Sequence, residues 1–319
     1  MRIAQFVLSA IIAFAVVYIV HRNQLPASVK LTSSSNNYSL EVQTVPTALE
    51  DSILTIPVKI DGVKNAGIKY FLRYAKPNLR NLEHLHRYGT TPLTAVDSAA
   101  GLYKAVVTIG GKGTLSHYFF EVRDPVGRYL TGIKLPDEKP LVTAAVGRVD
   151  PWVKYGYFST MFLAILAVTV GAFGSIRLLT SNIEAQSVKL PFLLASIFLI
   201  FSVYMLGNLF QGQLTGTAWQ GAPFGTNFGD NFKQFLLVFL AFMVLSLKLV
   251  GAKSGGRRTV LPAPVIGYLG IISFFIMIFA YLAPLVVKAD FAEVTNIFYA
   301  FLALLLAAYL LGFRRSKNA

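Results

Sequence analysis

Hydrophobic positions along this chain follow two grammars. Residues 3–20, 157–174, 191–210, 235–250, 261–287 and 291–313 are nearly unbroken apolar runs, each close to the ~20 residues that a helix needs to cross ~30 Å of hydrocarbon. Between the first and second of them, short runs at 38–43, 53–60, 68–74, 102–109, 115–123 and 128–135 are rich in β-branched and aromatic residues and are separated by Gly, Pro, Asn and Asp. Runs of that kind read as strands. The pattern therefore predicts a membrane α-helical bundle of about six transmembrane helices with an inserted extracytoplasmic all-β domain. The expected divisions are a transmembrane signal anchor at 1–22, the β domain at 23–154 and a five-helix transmembrane domain at 155–319.

The first apolar run has the charged start of a secretory signal in Met1 and Arg2, but it exceeds an ordinary h-region. His21, Arg22 and Asn23 follow it in place of a small-residue cleavage site, so an uncleaved anchor is expected. Alternating the remaining connections places Arg177, Lys189, Lys248, Lys253, Arg257, Arg258, Arg314, Arg315 and Lys317 on one side, against Glu184 alone. By the positive-inside rule that side is the cytoplasm. Both termini are then cytoplasmic, residues 23–154 are periplasmic or extracellular, and the chain is a multi-pass protein of the cytoplasmic (inner) membrane.

Alternation within the strands sets their faces. In 117–123, Tyr118, Phe120 and Val122 share one face, while His117, Phe119, Glu121 and Arg123 share the other, and 124–127 supplies the turn. A two-layer antiparallel sandwich buries such strands. The stretch Gly101-Leu102-Tyr103-Lys104-Ala105-Val106-Val107, a Gly-rich turn, and then Tyr118-Phe119-Phe120-Glu121-Val122-Arg123-Asp124 with Gly127 resembles the closing strands of bacterial immunoglobulin-like or fibronectin-III-like domains. The resemblance covers about a third of the β domain and implies an interaction or spacing module, without naming a ligand. The antibody-type cysteine pair is missing.

Composition narrows the chemistry. The 319 residues are 55% hydrophobic and 14% charged, with mean hydropathy +0.58, so lipid is part of the solvent. Cysteine is absent, which removes disulfides, thiolate metal sites, iron–sulfur clusters and covalently attached haem. The four histidines, His21, His84, His86 and His117, all precede the C-terminal runs, which argues against haem held by paired histidines in the bundle. The net charge of +14 would suit nucleic acid, but much of it sits at span ends and is topological. Residues 21–154 carry 17 Lys and Arg against 11 Asp and Glu, a surface suited to an acidic extracytoplasmic protein or anionic lipid.

Several candidate sites stand beside plainer readings. His84 and His86, next to Glu83, would share one face of a strand and both reach a Cu or Zn ion; a solvated surface segment is the alternative. The loop after the third span, with Trp219, Pro223, Phe224, Phe228 and Asp230, is a candidate partner-binding loop or else an interfacial aromatic belt. The row Ala164, Ala167, Gly171 and Ser175 lets another helix approach closely, inside the bundle or from another subunit. The segment Gly110-Gly111-Lys112-Gly113-Thr114 lacks phosphate-loop spacing and reads as a hairpin loop. The spans carry almost no ionisable residue apart from Lys248, whereas ion-coupled transporters place such groups at membrane depth.

No catalytic constellation and no cofactor signature accompany these features. The expectation is a non-catalytic accessory or scaffolding subunit of a membrane protein complex, its β domain binding or positioning a partner and its helices packing against other membrane subunits. A permease or channel for a neutral or lipidic substrate, lined by Tyr204, Asn208, Gln211, Thr295, Asn296 and Tyr299, is the alternative. Metal handling through His84 and His86 is a second one.

Overall fold

A computed structural model describes residues 3–23, 28–35, 38–61, 69–75, 89–123, 129–133, 141–181, 183–216, 228–251, 257–286 and 294–318. The chain forms two compact units. One comprises Leu25–Arg148 with Gln213–Thr217, and the other comprises Met1–Gln24, Val149–Gly212 and Ala218–Ala319. The expected boundaries at 22 and 154 thus move inward to 24 and 148, and a five-residue piece from beyond the third apolar run is added to the β unit.

The β unit contains β1 (Lys30–Ser35), β2 (Tyr38–Gln43), β3 (Thr47–Leu49), β4 (Ile53–Asp61), β5 (Lys69–Ala75), β6 (Gly89–Pro92), β7 (Thr94–Asp97), β8 (Leu102–Thr108), β9 (Leu115–Arg123), β10 (Tyr129–Ile133) and β11 (Leu141–Val146). They build two sheets, one in the order β1-β2-β4-β8-β7 and the other in the order β3-β11-β9-β5-β6, with β10 beside β9. All pairings are antiparallel except that of β3 with β11. In β4 the alternation is regular: Ile56, Val58 and Ile60 point inward, while Thr55, Pro57, Lys59 and Asp61 face solvent.

Those inward residues join Leu40, Val42, Ala105 and Val107 of the same sheet, and Tyr118, Phe120, Leu141 and Ala145 of the other, in one core. Each large apolar side chain sealed there contributes roughly 1.5–3 kcal/mol. Tyr118 is fully buried. Its hydroxyl pairs with Thr143 Oγ1 at 3.0 Å. Thr143 in turn donates to the Val45 carbonyl, so the tyrosine must be the donor of the first bond. That chain pins the segment in which the backbone leaves the first sheet after β2 and enters the second at β3.

Residues 110–114 are not a hairpin loop. They carry the chain from β8 in one sheet to β9 in the other. Gly113 there has φ +78°, and a Cβ on it would lie 2.2 Å from the Thr215 carbonyl oxygen. Only glycine fits that approach. Thr215 belongs to the added piece, which is fixed further by the Gly147 amide donating to the Leu214 carbonyl at 2.8 Å.

His117, on the outer face of β9, has its Nδ1 buried without a hydrogen-bond partner, and burial lowers its pKa below the ordinary 6.5. The folded form therefore disfavours the proton that an unfolded chain accepts below about pH 6.5. Stability of the β unit is expected to fall as pH drops from 7 through that value, and to level off below the folded pKa. Denaturant titrations at pH 7.5, 6 and 5 check this: His117→Phe should flatten the slope, and an unchanged slope would assign the pH dependence elsewhere.

The second unit is helical. It contains α1 (Ile3–Arg22), α2 (Pro151–Thr180), α3 (Lys189–Ile200), α4 (Leu206–Thr215, the last three residues belonging to the β unit), α5 (Phe228–Ser246), α6 (Ala263–Val286) and α7 (Val294–Asn318), with a short ribbon of β12 (Leu249–Gly251) and β13 (Arg257–Thr259). Pro151 opens α2 at a position where its missing N–H costs nothing. A 3₁₀ turn, Ala185–Val188, leads into α3, and a π turn, Phe201–Met205, joins α3 to α4. α2 is the central helix and packs on α1, α3 and α6. In α1 the buried positions Ser9, Ala13, Val16 and Val20 form one stripe; Ile3, Phe6, Ile11 and Phe14 on its other faces are exposed.

Among the described residues five helices are long and apolar enough to cross a membrane: Ile3–Arg22, Pro151–Thr180, Ala185–Thr215, Ala263–Leu282 and Tyr299–Asn318. By length and apolarity the count is five where six are expected. The fourth run, 235–250, lies in α5, which starts seven residues earlier than hydropathy suggests. Asp230, Asn231, Lys233 and Gln234 occupy its first two turns, and its apolar remainder, 235–245, rises only about 16 Å. α5 nonetheless runs the length of its unit. Lys233 lies within electrostatic range of Tyr157, while the Ser246 and Leu247 carbonyls at the other end accept from the Val260 amide and Gln186 Nε2.

Candidate functional site

The early start of α5 brings a charged pair into the bundle. Asp230 stands in the first turn, where the N-terminal backbone dipoles favour a carboxylate. Lys233, one turn on, places Nζ 3.7 Å from Asp230 Oδ1, and the two side chains are only 18% and 19% exposed. Side chains from the π turn and from α2 reach the pair. Tyr204, in the π turn, is within electrostatic range of Asp230. Tyr157 of α2 stacks on Phe210 of α4 with ring centroids 5.0 Å apart. From α6, the buried Tyr281 hydroxyl faces Ser202 and Tyr157.

The π turn makes this convergence possible. One extra residue in the turn re-aims the side chains that follow it, and Gly207 accepts the resulting crowding: a Cβ there would sit 2.5 Å from the Ser202 carbonyl oxygen. Phe158 closes the edge of the cluster, with His21 of α1 stacked on it at 4.8 Å. Three phenols, a hydroxyl and a carboxylate–ammonium pair can hold one another in a polar network or hydrogen-bond a small polar guest. They do so at the end of the bundle where α2 begins and α4 ends.

Of the candidate residues, Asp230 is thus a helical member of this cluster rather than a loop residue. Phe228 begins the same helix. Trp219, Pro223 and Phe224 lie outside the described residues, as do His84 and His86. Tyr204 and Asn208 fall in the π turn and α4, where Asn208 Nδ2 donates to the Tyr204 carbonyl at 2.9 Å. Gln211 lies further along α4, and Thr295, Asn296 and Tyr299 belong to α7. Among the described residues, no group of three or more His, Asp or Glu could hold a metal.

The small-residue row is taken up inside the chain's own bundle. Ala164, Ala167, Gly171 and Ser175 are all buried. Phe192 of α3 presses its ring on Gly171, at 2.8 Å from where a Cβ would be, and Gly270 of α6 meets Ser175. Sequence reasoning missed the tyrosine and Asp–Lys convergence because its members lie on four segments far apart in the chain. The available signal was the i, i+3 spacing of Asp230 and Lys233, which reads as helical once the loop is allowed to be short. No family model, curated protein sequence or solved structure matches this chain.

Proposed function

We propose that the protein is a non-catalytic accessory or scaffolding subunit of a membrane protein complex, whose β unit binds or positions a partner outside the cytoplasmic membrane. The observation that carries this reading is the strand order. Reading β2-β4-β8-β7 as strands A-B-E-D and β3-β11-β9-β5-β6 as A′-G-F-C-C′, with β1 and β10 as additions at the sheets, supports an immunoglobulin-like sandwich, as does the parallel pairing of β3 with β11. Sandwiches of that kind serve mainly as interaction and spacing modules. In this reading α5 is a sixth crossing, shielded by its neighbours, and both termini lie in the cytoplasm. The inclusion of Gln213–Thr217 in the β unit supports placing that loop and residues 25–148 on one side of the membrane.

Purification of the full chain from its native membrane in mild detergent, followed by mass measurement of the intact particle, tests the proposal. A stoichiometric partner subunit is expected. A lone monomer, stable and complete, would sink it. The polar cluster around Asp230 and Lys233 favours a second reading, a permease for a neutral or lipidic substrate. If that reading holds, Asp230→Asn with Lys233→Met abolishes transport, whereas a scaffold retains its partner with the same two changes.

A further inference from the structure

At the opposite end of the helical unit, the link between α2 and α3, the β12–β13 ribbon, the entry to α6 and the last turn of α7 enclose a cleft of about 640 Å³. That volume is within the range of small-molecule sites. Three polar side chains of its lining are used in hydrogen bonds of the frame. Gln186 Nε2 donates to the Leu247 carbonyl, Thr259 Oγ1 donates to the Leu261 carbonyl at 2.7 Å, and Ser316 Oγ donates to the Thr259 carbonyl at 3.1 Å.

Two guanidinium groups line the same cleft, Arg258 from β13 and Arg315 from α7. Both are exposed, and neither forms an ion pair with a described residue. Glu184 also lines the cleft without pairing to either, so the cleft carries two positive charges against one negative. Arg258 is held by the ribbon register that sets it opposite Val250. Arg315 is held by Ser316, only 6% exposed and bonded across to β13. Leu261 and Pro262 supply an apolar wall beside the two charges. A guanidinium fork matches phosphate oxygens in pairs, and basic pockets among membrane helices suit phosphorylated headgroups.

We propose that this cleft binds a phosphate-bearing anion, the headgroup of an anionic phospholipid, through Arg258 and Arg315, with the acyl chains leaving over the apolar wall. The site is independent of any partner bound by the β unit. The test uses the full chain, washed free of lipid in neutral detergent and offered phosphatidylglycerol or diacylglycerol with the same acyl chains, with retention read by native mass spectrometry.

Phosphatidylglycerol should be retained about tenfold better, the equivalent of one good charge-assisted contact. Arg258→Gln with Arg315→Gln should remove that preference. Arg258→Lys with Arg315→Lys keeps the charge but loses the fork, and should retain only part of it. The control pair Arg314→Gln with Lys317→Gln removes the same charge outside the cleft and should change nothing. Displacement by millimolar inorganic phosphate would make free phosphate the source of the recognised group, and resistance to it the lipid; either result upholds phosphate recognition. Equal retention of the two lipids, or equal loss in the control pair, would overturn the proposal.

Discussion

Replacing Gly270 with leucine is expected to unseat α6 from α2 and to cost the helical unit about 3 kcal/mol or more, the upper range for forcing volume into a packed interior. A Cβ at that position would lie 1.9 Å from Ser175 Oγ, 2.7 Å from Ser175 Cβ and 3.0 Å from Phe192 Cζ. Ser175 cannot swing clear, because its Cβ is fixed by the α2 backbone and its hydroxyl donates to the Gly171 carbonyl at 2.9 Å. Even alanine meets the contact, so Gly270→Ala should lower the thermal midpoint in detergent measurably. Gly212 in α4 is the internal comparison, since nothing lies within 4 Å of a Cβ there. Gly212→Ala should be neutral or gain roughly 0.5–1 kcal/mol from reduced backbone freedom. If leucine at 270 melts at the wild-type temperature, the close approach of α2 and α6 is wrong.

The second large effect is expected at Asp230 and Lys233. Removing one member of a buried ion pair leaves the other charged and unpartnered, which costs about 3–5 kcal/mol when burial is complete. With both side chains about a fifth exposed, roughly 2 kcal/mol is the expectation for Lys233→Met or Asp230→Asn alone. The double variant should be less destabilised than the sum of the two, with a coupling of about 1 kcal/mol or more. A thermodynamic cycle on the four proteins, unfolded by SDS titration, measures it. Strict additivity would mean that the pair does not form, and that the tyrosines around it hold the helices without it.

Much of the architecture could be read from hydropathy, because burial on one face imposes a period. Strands 38–43 and 115–123 were legible to the residue, since their alternation is sharp and turn residues bound them. Of the five strands that escaped, β11 alternates, with Leu141, Thr143 and Ala145 inward, while β3 and β7 are of another kind. β7 is exposed along its whole length, and β3 has three residues, so neither carries a burial pattern to detect. Composition likewise misled at 110–114, where glycines suit a hairpin and a crossing between sheets equally well. Which of the two forms is decided by β8 and β9 finding different neighbours, a long-range choice without local trace.

For the helices, hydropathy located every apolar run but not every helix end. The start of α5 at Phe228 places Asp230 and Lys233 on the helix, because helix formation depends on backbone pairing and first-turn charge, not on apolarity. Two charges that hydropathy leaves in a loop stand in the helical bundle for that reason. Arg258 and Arg315 were visible only as topological charges at span ends. Their meeting across one cleft depends on a three-residue ribbon and on where α7 stops, and nothing in the spacing of 57 residues between them announces it. The small-residue row was legible as a packing surface, and the neighbours that fill it, Phe192 and Gly270, were not.

The five residues Gln213–Thr217 give the β unit a history as well as a shape. Its strands are complete in sequence by Val146, yet the carbonyls of Leu214 and Thr215 that meet Gly147 and Gly113 lie beyond two further apolar helices. A ribosome delivers the sheets first and these residues only after some sixty more have been made. Until then the Gly147 amide has no partner from that segment, and the two sheets stand without their last contacts. Completion of the β unit is thereby tied to the folding of α2 and α3, which stand in the chain between its last strand and the five residues that close it.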